Sequence, residues 1–350
     1  MREPWKNILI IKPSSLGDIV LALPALSALR NSFPDAKISW LIRPEFAPLL
    51  KNHPHLTETI LFERNLLARA WYNPHAFAEL RSLVQRLRNE KFDTVIDLQG
   101  LFRTAFLAKL SGCPVRFGMK NAREFAGLFY THKISQNSGS MHLVDYYMKI
   151  VKSAGVQNTD VQFILPVDAE AADSVNRLLA EYNVDRNHYA VFILGSAHPD
   201  KCWPVENFAA LADKISPLFH LPIVLAGAKS ERTVTEKLRA LTNVPIVDFA
   251  GLTNLNELVA LLKSARLVVS NDTGPGHIAA ALDRPLVMMF SWSNPARIYP
   301  YGRKNCVAAV DPYTRGPQIK SCDPKHNVKN ITVDDVFAKV CEQLEAPFNG

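Results

Sequence analysis

The chain has 350 residues, of which 48% are hydrophobic and 21% charged, a composition typical of a soluble globular protein long enough for two domains. No apolar run approaches the roughly 18–20 residues of a membrane helix, and proline and charged residues interrupt the first thirty positions where a signal peptide would lie, so we expect a cytoplasmic protein. Residues 1–150 carry 20 Lys and Arg against 12 Asp and Glu, whereas residues 151–350 carry 20 against 21. The basic first part indicates an acidic partner (nucleic acid, anionic lipid headgroups or a phosphorylated sugar), although a basic surface that serves only solubility is an alternative.

Short apolar runs alternate with helical patterns along the whole chain. In the first half, the runs predict strands at Ile8–Ile11, Ile38–Ile42 and Thr94–Leu98. In the second half, they predict strands at Ala190–Leu194, Pro222–Ala226, Ile246–Phe249, Leu267–Val269 and Leu286–Phe290, with helices at 207–216, 231–241, 254–264 and 273–282. Nearly all-apolar strands that alternate with helices favour parallel sheets covered on both faces.

These elements predict an α/β fold with two doubly wound, Rossmann-like domains. We place the first domain at residues 1–165 and the second at 166–332, with a break near Pro166. Residues 333–350 contain a short amphipathic helix that could pack back on the first domain. Ligands of such sheets bind beyond the carboxyl ends of the strands, so the loops that follow strands are the places to search.

The segment "VVSNDTGPGHIAAAL" (268–282) predicts an anion site. A buried strand ends at Ser270, and a helix rich in small residues follows. Free N–H groups and the helix dipole at such a start attract a diphosphate, which Asp272, Thr273, Gly274 and His277 would surround. The alternative is that Asp272 only caps the helix and His277 only packs.

Two other loops could complete a nucleotide site. In "LGSAHPDKCWP" (194–204), Ser196 follows a strand and Lys201 could reach phosphate as a point charge. In "VLAGAKSERTVTEKL" (224–238), Glu231 could hold ribose hydroxyls or simply favour a helix start. The chain contains neither G-x-G-x-x-G nor G-x-x-x-x-G-K-[ST], so a dinucleotide or P-loop site lacks its usual residues.

The loop "IIKPSSLGDIV" (10–20) places a carboxylate where a phosphate site would have glycine or lysine. Asp18 is therefore a single placed carboxylate beside Ser15 and Gly17, and the loop alone leaves its chemical role open. Capping of the following helix is the alternative role for Asp18.

Four ordered runs carry a resemblance to a known family. "KPSSLGDIVLALPAL", "DLQGLFRTA", "DKCWP" and "SNDTGPGHIAAALDRP" resemble the ADP-heptose–lipopolysaccharide heptosyltransferases of glycosyltransferase family 9, from Ile8 to about Pro300. The resemblance implies the GT-B fold, in which two Rossmann-like domains face each other across a cleft. The loop around Asp18, the "NAREFAGLFY" segment and the "DKCWP" loop are more similar to heptosyltransferase I than to heptosyltransferase II.

The resemblance also implies roles for individual residues. It makes Asp18 the general base of an inverting, metal-independent transfer, with Ser15 and Gly17 as a surface for close approach of the acceptor sugar. It assigns the donor to Ser196, Lys201, Glu231, Asp272 and His277, together with the Thr273–Gly274 helix start. Arg103 and Arg123 lie in segments that would bind Kdo carboxylates and lipid A phosphates.

The implied reaction moves heptose from ADP-L-glycero-D-manno-heptose to the Kdo of Kdo₂-lipid A, peripherally on the cytoplasmic face of the inner membrane. It implies neither a cofactor nor a nucleic-acid partner. One segment departs from the family: Trp292, Ser293 and Asn294 stand where relatives commonly have Pro-Thr-Asp or Pro-Thr, so the transferred sugar stays open. Alternatives are a family 9 enzyme that acts at a later core position and, from a different class, a non-catalytic two-domain sugar-binding protein.

Overall fold

Two six-stranded parallel sheets form the framework of the protein, as given by a computed structural model that describes residues 4–136 and 141–345. The chain divides into one unit at residues 1–166 and a second at residues 167–350. Each unit contains one of the sheets, with α-helices between most consecutive strands. Within the described residues, no helix is long and apolar enough to cross a membrane.

The first unit alternates strands and helices through most of its length. Its strands are β1 (Asn7–Ile11), β2 (Lys37–Ile42), β3 (Glu58–Leu61), β4 (Thr94–Asp97), β5 (Val115–Met119) and β6 (His132–Ile134). Its helices are α1 (Leu16–Ser32), α2 (Leu66–Arg69), α3 (Pro74–Asn89), α4 (Phe102–Leu110) and α5 (Leu143–Ser153). The apolar run of β1 is buried on both faces because α1 and α5 cover one face of the sheet, while α3 and α4 cover the other.

The second unit repeats the alternation. Its strands are β7 (Ala190–Ile193), β8 (Ile223–Leu225), β9 (Ile246–Asp248), β10 (Leu267–Asn271), β11 (Leu286–Met289) and β12 (Val307–Ala308). Its helices are α6 (Ala169–Glu181), α7 (Val205–Phe219), α8 (Arg232–Leu241), α9 (Leu255–Lys263), α10 (Gly274–Ala281), α11 (Pro295–Ile298) and α12 (Val333–Glu345).

Both sheets have the strand order of a Rossmann fold. The first runs β3-β2-β1-β4-β5-β6, and the second runs β12-β11-β10-β7-β8-β9. In each sheet the order reverses between the first and fourth strands of the unit, β1 and β4 or β7 and β10. The loops after these strands therefore diverge and leave a crevice at the carboxyl edge, where doubly wound sheets bind ligands.

The helix α12 closes the core of the second unit. Val336 and Val340 are fully buried with residues of α7, and α12 also packs along β11. The apolar face of α12 thus packs within the second unit. The predicted α/β class with two doubly wound sheets is confirmed.

Candidate functional site

A buried ion pair lies at the point where strand order reverses in the second sheet. Lys201 Nζ is 2.5 Å from Asp272 Oδ2, and the two side chains are 14% and 4% exposed. Lys201 belongs to the loop after β7, and Asp272 follows β10 directly. The pair therefore links the loop after β7 to the loop after β10, at the crevice that these two loops leave.

Asn271 fixes the distance between those loops. Its side-chain oxygen accepts the Trp203 backbone N–H at 2.9 Å, and its amide donates to the Leu194 carbonyl at 2.8 Å. Trp203 is itself anchored, because its indole N–H donates to the Ile331 carbonyl at 2.9 Å. The loop that carries Lys201 is thus fastened to the end of β10 through fully buried polar groups, which are costly to leave unpaired.

The start of α10 adds backbone dipoles and a histidine. Thr273 is the N-cap in extended conformation, and a Cβ at Gly276 would be tightly packed, 3.0 Å from Ser270 Oγ and from Met288 Cε. His277 Nε2 lies 3.7 Å from Asp272 Oδ1, while His277 Nδ1 is buried with no partner among the described residues. The unpaired N–H groups of this helix start attract anions.

The electrostatics keep Asp272 ionised. Burial by itself would raise the pKa of Asp272, but the hydrogen bond from His277 and the Lys201 ammonium outweigh burial and hold that pKa well below its usual value. The site thus combines one fixed carboxylate with a cation that is the more exposed partner of the pair.

Glu231 covers the ends of β7 and β8. Its Oε2 accepts the Ala228 N–H at 2.8 Å, and burial raises the pKa of its carboxyl. A Cβ at Gly195 would lie 1.4 Å from Glu231 Oε1, and a Cβ at Gly227 would lie 2.2 Å from Oε2. Two glycines therefore make the space that this carboxylate occupies. Glu231 is also the N-cap residue of α8, so both roles considered for it fit its position.

The first unit carries a different lysine–aspartate pair, again at the reversal of strand order. Asp18 Oδ2 accepts the Ser15 backbone N–H at 3.3 Å and the Ser15 hydroxyl at 3.1 Å, and it lies 3.4 Å from Lys12 Nζ. Among the described residues, Asp18 Oδ1 accepts no hydrogen bond, and the side chain is 36% exposed. Gly17 lies buried in the first turn of α1. Asp18 therefore does stabilise the helix start, and it also keeps one open carboxylate oxygen.

Lys12 is the buried centre of this group. It is 3% exposed, and its ammonium also donates to Gln99 Oε1 at 3.2 Å and lies 5.8 Å from the centre of the Tyr147 ring. Burial lowers the pKa of Lys12, and the charge of Asp18 opposes that effect. Asp97, at the end of β4, accepts the Gln99 N–H at 2.8 Å. This bond positions Gln99, whose side chain accepts a hydrogen bond from Lys12, as Asp18 also does.

The two predicted acceptor arginines flank the loop after β4. Arg103 lies half-buried in the first turn of α4, and the Arg123 N–H donates to the Gly100 carbonyl at 3.0 Å. The charge of Arg123 contributes to lowering the pKa of Lys12, so Arg123 is within electrostatic reach of the Asp18 group.

The predicted site residues thus form two groups, one in each unit. The larger group, around the Lys201–Asp272 pair, contains Thr273, Gly274 and His277, with Glu231 at the next strand end. Ser196 lies in the same loop as Lys201, where its hydroxyl accepts the His198 N–H at 3.4 Å. The second group contains Ser15, Gly17 and Asp18, with Arg123 nearby.

A match to a known protein family identifies the protein class to which the chain belongs. The pattern described as Glycosyltransferase family 9 (heptosyltransferase) matches residues 80–329. The chain belongs to glycosyltransferase family 9. It is therefore an enzyme, and the alternative of a non-catalytic sugar-binding protein is excluded.

Individual relatives agree with this membership over nearly the full chain. Lipopolysaccharide heptosyltransferase 1 of Escherichia coli K12 is 28% identical over 338 residues, which cover 95% of this chain and 99% of the relative. A family 9 glycosyltransferase from Veillonella parvula has the same fold with a TM-score of 0.81 at 22% identity, over 97% of both chains. An E. coli heptosyltransferase solved with ADP-2-deoxy-2-fluoro heptose aligns with a TM-score of 0.72 at 27% identity, over 96% of this chain and 99% of that one.

Some contacts of this family 9 enzyme were not foreseen in its sequence. Lys12 directly follows the apolar strand β1, and no role was predicted for it. A lysine next to a buried strand nevertheless indicates a buried partner for its charge. Gln99 and Asp97 lie in the recognised "DLQGLFRTA" run, but their bonds to each other and to Lys12 depend on the pairing of β1 with β4. Trp292 was noted in the sequence only because it differs from the residue common in the family. Its ring centre lies 4.6 Å from Lys201 Nζ.

The Lys201–Asp272 pair predicts a strong energetic coupling. Lys201→Met alone leaves a buried carboxylate short of its partner and should cost roughly 2–4 kcal/mol of unfolding free energy. Lys201→Met combined with Asp272→Asn should recover a large part of that loss, because the remaining buried groups are neutral. Denaturant unfolding of the four proteins of the cycle at pH 7 measures the coupling, and additive losses would contradict the pair.

The pH dependence of that coupling has a defined sign. Because the pKa of Asp272 is lowered on folding, its contribution to stability is complete above the unfolded value of about 3.9 and declines as pH falls below it. The same cycle at pH 3 should therefore give a smaller coupling than at pH 7.

Proposed function

We propose that this family 9 enzyme transfers heptose from ADP-heptose to a Kdo residue of a Kdo–lipid A acceptor, with inversion at the anomeric carbon. The observation that carries the proposal is the Lys201–Asp272 pair beside the start of α10, at the point where strand order reverses in the second sheet. In a family of heptosyltransferases, a cation and free N–H groups at that point fit a nucleoside diphosphate-sugar.

The donor would be held by its phosphates and its ribose. Lys201 and the Thr273–Gly274 helix start face the diphosphate, and Glu231 accepts the ribose hydroxyls from its place over Gly195. Asp272 holds the Lys201 ammonium in place, and His277 lies against the other oxygen of Asp272. The E. coli relative that was solved with an ADP-heptose analogue supports this donor class.

Asp18 would act as the general base. As an acceptor hydroxyl of Kdo attacks the anomeric carbon, its proton passes to Asp18 while the bond from that carbon to the diphosphate breaks. The negative charge that develops on the leaving diphosphate is met by Lys201 and the N–H groups of α10. Lys12 and Ser15 hold the carboxylate by Oδ2, so that Oδ1 stays open for the proton.

A lipid-linked, anionic acceptor fits the surface near Arg123. Phe125 and Leu128 are 82% and 75% exposed, and both follow Arg123 closely in the chain. In the same segment, Phe129 forms an aromatic cluster with Phe102 and Phe106, with 5.5–5.7 Å between ring centres. A basic group beside exposed apolar side chains suits acidic sugars on an acyl-chain anchor, and it supports peripheral action at the cytoplasmic face of the inner membrane.

Product analysis tests the proposal directly. Incubation with ADP-heptose and Kdo₂-lipid A should add one heptose to the lipid, which mass spectrometry resolves. UDP- and GDP-sugars serve as control donors, and Kdo₂-lipid A that already carries one heptose serves as control acceptor. Transfer only to the heptosylated acceptor would assign the enzyme to a later core position, and transfer only from another nucleotide sugar would overturn the donor.

Asp18→Asn separates proton transfer from donor binding. We expect turnover to fall by roughly 10²–10⁴, because an amide cannot accept the proton, while ADP-heptose affinity stays within about twofold of wild type. Asp145→Asn is a matched control, since Asp145 is an exposed aspartate at the same position in the first turn of α5. Turnover that survives in Asp18→Asn, measured with the same acceptor, would remove Asp18 from the chemistry.

Arg123→Gln tests the acceptor surface. Loss of one charge-assisted contact to an acidic group should raise the acceptor KM about 5- to 10-fold and leave donor affinity unchanged. Arg81→Gln, at an exposed position of α3, is the matched control. Steady-state kinetics with varied Kdo₂-lipid A measures the effect, and an unchanged acceptor KM contradicts the role of Arg123.

A further inference from the structure

A second lysine lies beside the residue where this chain departs from its family. The Trp292 ring centre is 4.6 Å from Lys201 Nζ and 4.3 Å from Lys320 Nζ. The His198 ring meets the same indole edge-on, with 5.7 Å between ring centres. Both lysines are therefore within the range of cation–π attraction to a single aromatic side chain.

The backbone around Lys320 is fixed against the segment that carries Trp292. Ser293 and Lys320 form an antiparallel bridge, the Asn294 N–H donates to the Ile319 carbonyl at 3.0 Å, and the Ser321 N–H donates to the Trp292 carbonyl at 2.7 Å. These bonds set Lys320 in register with Trp292, so its place over the ring follows from the fold of the loop.

One buried and one half-buried polar side chain hold the rest of that loop. The Asn294 amide donates to the carbonyls of Gly316 and Gln318 at 2.8 and 2.7 Å. The Arg315 guanidinium donates to the Ser293 carbonyl at 2.8 Å and also bonds the carbonyl of Ser291. Residues 292–294, where the sequence differs from its family, thus belong to a hydrogen-bonded connection between the segment 291–294 and the loop at 315–321.

The two lysines differ in how far their charge is compensated. Lys201 has Asp272 at 2.5 Å, whereas Lys320 makes no ion pair within residues 4–136 and 141–345 and is exposed. An uncompensated cation beside a paired one leaves net positive charge next to the site proposed for the diphosphate. As the leaving group departs, its negative charge grows, and Lys201 alone is already shared with Asp272.

We propose that Lys320 is a second cationic ligand of the donor diphosphate and that the Trp292 ring, which both ammonium groups contact, holds the two lysines near one another. The inference rests on the proposed function, because it needs the diphosphate at Lys201. It assigns a substrate-binding role to the C-terminal loop at 315–321 and gives Trp292 a purpose in place of the family's more common residues.

Lys320→Gln tests the assignment by calorimetry with ADP and with adenosine. Loss of a charged contact to phosphate should weaken ADP binding by about tenfold and leave adenosine binding unchanged. Lys320→Arg should retain most of the ADP affinity, because it keeps both the charge and the stacking on Trp292. Lys304→Gln is the matched control, since Lys304 lies 5.1 Å from the Tyr313 ring centre in the same unit and should bind ADP like wild type.

The outcomes separate this inference from the proposed function. Weaker ADP binding in Lys201→Ala together with wild-type binding in Lys320→Gln would overturn the role of Lys320 alone. Unchanged binding in Lys201→Ala would overturn the diphosphate site itself. Equal losses for ADP and adenosine in Lys320→Gln, or a change confined to the acceptor KM, would also contradict the proposal.

Discussion

The reversal of strand order in each sheet is the constraint on which both candidate groups depend. A parallel sheet brings the ends of its strands to one edge, and the reversal between β1 and β4, or between β7 and β10, opens a crevice there. Asp18 follows β1, and the Lys201–Asp272 pair joins the loops that follow β7 and β10. The predicted site residues therefore lie at a few loop positions, while the strands behind them are mostly apolar and buried.

The two groups use the same residue types with opposite exposure. In the first unit Lys12 is 3% exposed and Asp18 36%, so the carboxylate is the accessible partner. In the second unit Asp272 is 4% exposed and Lys201 14%, so the cation is the accessible partner. The accessible member suits the role proposed in each case, since a general base must meet a proton and a phosphate ligand must meet an anion. In each pair the buried member holds its more exposed partner in place.

The sequence predicted the central strands because they are buried on both faces and read as continuous apolar runs, as in β1 and β10. It did not predict β3, β5, β6 or β12. Of these, β3, β6 and β12 are short strands at the edges of their sheets, and β3, β5 and β6 contain polar residues or glycine where a central strand would be apolar. Site residues next to strand ends could be named from motifs, but the Lys12–Gln99 contact joins positions far apart in the chain. The same is true of Lys320 and Trp292, whose contact depends on the folded loop at 315–321.

The central claim is that the donor diphosphate binds at the Lys201–Asp272 pair and the start of α10. A crystal structure of the protein with bound ADP measures this most directly. The account predicts phosphate oxygens within hydrogen-bond distance of Lys201 Nζ and of backbone N–H groups at Thr273–Gly276, with the ribose against Glu231. Phosphates bound elsewhere, with the Lys201–Asp272 pair unchanged and no ligand near α10, would contradict it.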